Sequence, residues 1–415
     1  MDIKNKFRNW LVEQDLKPGT INSYLSRLKK IGIGTSLLEK LTNIRIVVAN
    51  EKDKRRGRAH RRLYPNCDTI IGEIDNPEIF EQIVAANKKY GAKLLLASPP
   101  CQEASLLNTS KNKGTSHRAA LFEDMLNVIR AVGYDYIFIE NVPQWLNSRP
   151  AAALSILGNK TIGEYVVEEL EKLGYNVTVG ILSAADYETA ENRERAIILA
   201  CKKDLGVWKF PMRHKFRPTV FETIGSMQSL EAGEVDPNNK WHYGVSLEEH
   251  EIEFLQHTPT GCSAWDNLVK FQPKNKDASY ANGQFKKGYT RINPAAPSPT
   301  ITSDSGQIGG LSTIHYGRPL SDGTFSDSRV LSIAELLKII GTDDDFLEPL
   351  NTPKTSEDDF DGLTWENAML TKPDEHFIRE ALGEHVCPKF MLNLMSTLPI
   401  PANDNKPEDS NNGEE

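Results

Sequence analysis

KLLLASPPCQEAS (Lys93–Ser105) runs from a continuous apolar stretch through a Pro-Pro turn into a cysteine, and its reading decides the fold. An apolar run of this length without alternation belongs to a strand buried on both faces. Similar runs lie around it: IRIVVAN (Ile44–Asn50), YIFIEN (Tyr136–Asn141), VTVGIL (Val177–Leu182) and AIILAC (Ala196–Cys201). Helical patterns separate them, namely PEIFEQIVAANKKYG (Pro77–Gly91), RAALFEDMLNVIRAVG (Arg118–Gly133) and TIGEYVVEELEKLG (Thr161–Gly174). Each of these ends on a glycine, the residue best suited to a left-handed helix stop. Buried strands alternating with helices predict an α/β chain on a doubly wound, mostly parallel sheet.

Outward from this core the character changes. Residues 201–290 are rich in Pro, Gly, Asn and aromatics, as in FPMRHKFRP, DPNNKWHYG and HTPTGCSAWDN, and predict a smaller, irregular second domain. Helical patterns return at RVLSIAELLKII (Arg329–Ile340) and EHFIREALGEHVCPKFMLNLMSTL (Glu375–Leu398). Near the start, FRNWLVEQ and TINSYLSRLKKI read as two amphipathic helices, the second capped by Thr20. The expected division is a helical segment 1–30, an α/β domain 31–200, the irregular domain 201–290 and a C-terminal part 291–400 returning to the α/β domain. An acidic tail, 401–415, is expected to be disordered.

The formal net charge of −8 argues against a uniformly basic nucleic-acid binder, but the charge is unevenly spread. Residues 1–62 hold sixteen Lys/Arg against six Asp/Glu, densest in KDKRRGRAHRRL (Lys52–Leu63), whereas residues 343–375 hold eleven acidic residues against two Lys. The basic run reads either as a phosphate-facing surface or as a solvated helix face. No apolar run approaches the roughly 18–20 residues of a membrane-spanning helix. The opening MDIKNKFRNW lacks the apolar core of a secretory signal, so cytoplasmic residence is expected. None of the five cysteines forms a C-x-x-C pair, which suggests neither a zinc cluster nor a redox dithiol, and no metal site is expected.

In an open parallel sheet, ligands sit at the carboxyl ends of the strands. Glu51, the Pro100-Cys101-Gln102 turn and Glu140-Asn141-Val142 all fall just after apolar runs, and Arg193 and Arg195 just precede one. Cys101 is the informative cysteine, because a rigid Pro-Pro turn aims its side chain out of the sheet's end. The polar stretch behind it, EASLLNTSKNKGTSHR, has the composition of a surface loop able to close over a phosphate backbone.

SPPCQEAS, IENV, ENRER and PSPTIT, in this order and at these separations, resemble the signature blocks of the DNA cytosine-5 methyltransferases. VVANEKD, IGEI, RVLSIAELLKIIG and GEHVCP match weaker blocks, and the resemblance spans Gly32 to Leu398. It implies a Rossmann-like domain that binds S-adenosylmethionine and acts on double-stranded DNA as a monomer, with a restriction endonuclease as a further partner of such enzymes. Cys101 would attack carbon 6 of a flipped cytosine. Glu140 would bind and protonate N3, and Arg193 and Arg195 would steady the site. Glu51 would hold the cofactor ribose and Glu73 the adenine edge, while Gly32, Gly34, Pro100 and Glu384 would complete the cofactor pocket. Gln102, Asn141 and Val142 would support the cysteine loop, and residues 201–290 would form the target-recognition domain.

The chemistry explains the residue types. Carbon 5 of cytosine is a poor nucleophile until a thiolate adds at carbon 6 and N3 gains a proton. The thiol needs a lowered pKa, the carboxyl a raised one, and the base must leave the stack. This chain also departs from the family pattern: Lys30 stands at the aromatic position of KIGIG, Glu191 replaces a Gln, Glu73 an Asp and Glu384 an Asn, and Lys52 stands where a bulky side chain packs on adenine. A tRNA cytosine-5 methyltransferase and a non-catalytic DNA-binding relative are the alternative readings.

Overall fold

The computed structural model describes residues 21–26, 35–99, 121–148, 155–275, 279–280, 288–311, 313–342, 346–347 and 375–400. Within them the strands are β1 (Ile21–Ser26), β2 (Ile44–Glu51), β3 (Asp68–Ile71), β4 (Leu94–Ala97), β5 (Tyr136–Asn141), β6 (Tyr175–Ser183), β7 (Glu191–Asn192), β8 (Glu194–Lys202) and β9 (Ser298–Pro299). Seven of them form one sheet in the order β3-β2-β1-β4-β5-β8-β6, and β7 pairs with β9 in a separate two-stranded element. All pairings from β3 to β5 are parallel, whereas β8 runs antiparallel to both neighbours. The mostly parallel α/β sheet expected from the apolar runs is the observed fold.

The helices are α1 (Leu38–Leu41), α2 (Lys54–Leu63), α3 (Pro77–Tyr90), α4 (Leu121–Val132), α5 (Gln144–Asn147), α6 (Ile162–Lys172), α7 (Val220–Ile224), α8 (Glu249–Gln256), α9 (Ile333–Ile340), α10 (Glu375–Gly383) and α11 (Pro388–Met395). Local chemistry sets their ends. Asn76 caps α3 with Pro77 in its first turn, and Gly91 ends it at φ 57°. Thr161 and Glu164 form a reciprocal capping box on α6.

Alternation along the strands divides the core between the two faces. Leu94, Leu96, Tyr136, Phe138, Ile197 and Leu199 face α11 on one side. Leu95, Ala97, Ile137, Ile139 and Ile198 face α3, α4 and α6 on the other. The C-terminal helix α11 packs on this sheet, with Phe390, Met391 and Leu394 buried against it.

Two expectations need correction. TINSYLSRLKKI, read as a helix, contains β1, a strand between β2 and β4. The neighbouring buried strands offer hydrogen-bond partners on both edges, and that tertiary gain overrides a weak helical pattern. A register shift between Ser23 and Tyr24 marks the imperfect strand sequence. The boundary at residue 290 also fails as a core boundary. Val220, Ile224, Trp241 and Tyr243 share one core with Leu331–Ile340 and with Phe377, Ile378 and Leu382. Segments too irregular to bury their own apolar side chains borrow the faces of α9 and α10. Other parts of the expected 1–30 segment and the whole tail 401–415 lie outside the described residues.

The basic run became α2, and several of its charges are engaged by neighbouring elements, while Lys54 and Arg61 stay exposed. Arg56 pairs with Glu380 at 2.8 Å, Arg55 lies over the Phe377 ring, and Arg61 donates to the Thr69 carbonyl at 2.9 Å. These contacts tie α2 to α10 and β3.

His60 of α2 is buried, with Nδ1 2.9 Å from Thr69 Oγ1 and its ring stacked on Tyr64. Burial pushes it down to about 3, and burial does the same to His315. Unfolding lets both take a proton below about pH 6.5, so their stabilisation is complete above that pH and fades as pH falls toward 3. Urea unfolding should therefore lose about 4 kcal/mol of stability between pH 7 and pH 5, roughly half of it removed from the pH dependence by His60→Gln. A stability independent of pH over that range would contradict this account.

Candidate active site at the carboxyl edge of the sheet

The parallel strands β4 and β5 end side by side, with Ala97 opposite Ile139. One residue on, Ser98 and Glu140 point to the same face, and the Ser98 hydroxyl donates to Glu140 Oε2 at 2.6 Å. Glu140 is fully buried, as the end of an apolar strand dictates. Because β8 runs backwards, it starts at the edge where its neighbours finish. That reversal brings Arg195 over Glu140, with Nε 2.7 Å from Oε1. Burial, with Arg193 nearby, lowers the affinity of Arg195 for its proton.

Asn141, on the opposite face, turns its amide back to the β4 end. Its Nδ2 donates to the Pro99 carbonyl at 2.8 Å, and its Oδ1 accepts from the Val142 amide at 3.0 Å. The turn that leads to Cys101 is thereby tied to the strand that carries Glu140. Pro100, Cys101 and Gln102 themselves lie outside the described residues, as do Gly32 and Gly34.

Glu51 closes β2 and is almost wholly buried. Its Oε1 accepts from the Asp53 amide at 3.0 Å, while its buried Oε2 has no partner among the described residues. A buried carboxylate oxygen without a donor is costly and marks a place for a ligand hydroxyl. Glu73, past the end of β3, is exposed and 3.7 Å from Lys52. Two of the residues that depart from the family pattern, Lys52 and Glu73, thus face each other across adjacent strand ends. Glu384 is half-buried in the turn between α10 and α11.

The two arginines of ENRER do different things. Arg193 does not reach Glu140; it is buried and donates to the carbonyls of Ile301 at 3.1 Å and Gly383 at 3.0 Å. Beside it, Glu191 Oε1 accepts from the Ile301 amide at 2.7 Å, and Glu191 Oε2 lies 2.9 Å from His385 Nε2 and 3.4 Å from Cys387 Sγ. Burial opposes the charge of Glu191, but His385 and Arg193 outweigh it and hold the carboxyl at about 2. Ser98, His385 and Cys387 were not singled out by sequence reasoning. A signal for the last two existed in the substitution of Glu191 for Gln together with a His and a Cys in GEHVCP.

A buried carboxyl paired with an arginine, and an asparagine bonded to the chain two residues before Cys101, thus meet at the strand ends. A family profile described as C-5 cytosine-specific DNA methylase matches residues 30–358, and the chain belongs to that family. Type II methyltransferase M1.HgaI of Avibacterium volantium is 36% identical over 377 residues, covering 89% of this chain and 96% of that protein. Type II methylase M.HgiDII of Herpetosiphon aurantiacus is 26% identical, covering 62% and 67%. Among solved structures, DNMT2 of Spodoptera frugiperda aligns over 91% of this chain and 99% of its own at TM-score 0.57 and 14% identity, a likeness of fold. The Entamoeba histolytica methyltransferase EhMeth aligns over 92% and 98% at TM-score 0.54 and 15% identity. Among the described residues no helix is long and apolar enough to cross a membrane.

The Glu140–Arg195 pair yields a direct test. Removing one partner of a buried pair leaves the other charge uncompensated, at about 3–5 kcal/mol, whereas replacing both is nearly neutral. Arg195→Met should lose stability of that order in urea unfolding, and Arg195→Met with Glu140→Leu should recover most of it. A single variant costing under about 1 kcal/mol would show that the pair is not coupled.

Proposed function

We propose that this protein methylates carbon 5 of a cytosine within a specific double-stranded DNA sequence, using Cys101 as nucleophile and Glu140 as acid. The observation that carries the reading is the Asn141–Pro99 hydrogen bond, which ties the residue two before Cys101 to the strand bearing Glu140. Arg195 and Ser98 fix the orientation of that carboxyl. The type II class of the similar methyltransferases supports a role in restriction–modification, with a cognate endonuclease as partner, action as a monomer and residence in the cytoplasm.

In this mechanism the Cys101 thiolate forms a bond to carbon 6 of a cytosine rotated out of the stack, and N3 takes its proton from Glu140. The addition breaks the ring's aromaticity and turns carbon 5 into an enamine carbon. Once carbon 5 is methylated, loss of its proton and expulsion of the Cys101 thiolate restore the ring. Arg195 holds Glu140 in place as its charge changes. Arg193 acts at a distance, keeping the segments around Ile301 and Gly383 in register with β8.

S-adenosylmethionine would supply the electrophilic methyl group. The residues present fit it: the unpartnered Glu51 Oε2 suits a ribose hydroxyl donor, and Glu73 lies beyond the next strand end. Gly32, Gly34, Pro100 and Glu384 are assigned to the remainder of that pocket by family resemblance. Lys52, drawn to Glu73, replaces apolar stacking on the adenine side with a polar wall.

Two measurements test the proposal. Duplex DNA carrying 5-fluorocytosine at the target should be trapped covalently by the wild-type protein and not by Cys101→Ser. Trapping through a different cysteine, or none in DNA whose methylation is verified by bisulfite sequencing, would overturn the assignment. Glu51→Ala should weaken S-adenosylmethionine binding at least about tenfold by titration calorimetry, since a charged hydrogen bond contributes about 1.5–3 kcal/mol. Unchanged affinity would remove Glu51 from the cofactor site.

A further inference from the structure

Glu191, His385 and Cys387 bring three kinds of metal-binding atom into one fully buried cluster. They come from distant parts of the chain: Glu191 from β7, the other two from the turn between α10 and α11. Nε2 of His385 lies 2.9 Å from Glu191 Oε2 and 3.2 Å from Cys387 Sγ, and that sulfur lies 3.4 Å from the same carboxylate oxygen. The three atoms form a nearly equilateral triangle. One face of a tetrahedral zinc site, with bonds of about 2.0–2.3 Å, has edges of about 3.3–3.6 Å. A small outward movement of the side chains turns one triangle into the other.

A second feature concerns the other side of the imidazole. His385 Nδ1 faces the Leu382 carbonyl. A carbonyl only accepts, so Nδ1 donates to it, while Nε2 faces Glu191 Oε2 and Cys387 Sγ, donating to the carboxylate without metal and offering its lone pair once a metal is bound. Metal-bound histidines are held in this way, with the remote N–H on a backbone carbonyl. The carboxylate is divided too: Oε1 is taken by the Ile301 amide and lies 3.5 Å from Arg193, which leaves Oε2 turned to the cluster.

We propose that Glu191 Oε2, His385 Nε2 and Cys387 Sγ bind a thiophilic divalent ion of the zinc class, as a structural staple between β7 and the α10–α11 turn. Binding breaks the Cys387 S–H bond, forms the sulfur–metal bond and releases one proton to solvent, with no change of oxidation state. Burial raises the thiol pKa well above its usual value, so the metal-free cluster keeps the proton on sulfur. Arg193, 3.5 Å from Glu191 Oε1, and Arg195 behind it are cations that act on the cluster, and the carboxylate and thiolate would balance the two. The expectation of no metal, drawn from the absence of C-x-x-C, overlooked donors separated by almost two hundred residues. The staple stands apart from the methylation reading: its donors are Glu191, His385 and Cys387, whereas the Glu140 carboxyl is held by Ser98 and Arg195.

The test uses the full chain. After expression with added zinc and exhaustive dialysis, elemental analysis should find about one zinc per chain, and a chelator should lower Tm. Cobalt(II) exchanged into the wild-type protein should give a near-ultraviolet thiolate-to-cobalt band that Cys387→Ser lacks. Glu191→Gln, which preserves an oxygen for the Ile301 amide, should keep the band but weaken zinc affinity at least about tenfold. Less than about a tenth of an equivalent of zinc, with Tm unmoved by zinc or chelator, would overturn the proposal and leave the three side chains as a hydrogen-bonded cluster. A cobalt band that survives Cys387→Ser would equally overturn it. Neither result bears on covalent trapping through Cys101, so the two proposals fail separately.

Discussion

The buried junction of Glu191 and Arg193 is what the rest of the molecule hangs on. Two side chains two residues apart secure three segments: β7 itself, the chain around Ile301 and the turn from Gly383 to Cys387. Arg193 satisfies two carbonyls and Glu191 an amide, so each charge is compensated by fixed dipoles where water does not reach. Removing either would expose buried polar groups on segments more than a hundred residues away. Such a junction is expensive to desolvate, and its return is uniqueness of arrangement, with the second lobe held in one pose against the sheet.

From that junction the chain runs straight into β8, whose reversed direction delivers Arg195 to the edge that carries Glu140. Parallel strands present their carboxyl ends there, and a strand entering from the same edge can offer its first residue to them. Glu140, Ser98 and Asn141 reach the same place from the ends of β5 and β4. The candidate site is thus made from strand ends whose positions are set by the sheet rather than by loop conformation. Precision of that kind is needed where a proton must pass to a ring atom at a defined position.

The second lobe follows a different logic. Its segments before residue 290 close one core with α9 and α10, and a smaller one from Phe254, Leu255 and Ala264 with Ile314. Its interior also carries Arg329 paired with Glu335 at 2.7 Å and Asp327 at 3.0 Å, all buried. Arg291, also fully buried, gives its guanidinium to the carbonyls of Leu255, His315, Ser326 and Asp327. Polar networks replace regular secondary structure as the source of order, which is why composition announced irregularity but concealed the true boundary.

By itself the amino-acid sequence determined the sheet and its flanking helices, because uninterrupted apolar runs and capped amphipathic segments have few other ways to hide from water. It also placed Glu140 and Asn141 at a strand end, since the continuous apolar run stops where polar residues begin. Local pattern could not show that INSYLS is a strand, because its stability comes from neighbours on both sides. Nor could it separate the roles of Arg193 and Arg195, which depend on the direction in which β8 enters the sheet. The meeting of Glu191 with His385 and Cys387 was likewise decided only by tertiary structure. Residues so far apart in the chain find each other through the packing of α11 on the sheet, an outcome that no local periodicity encodes.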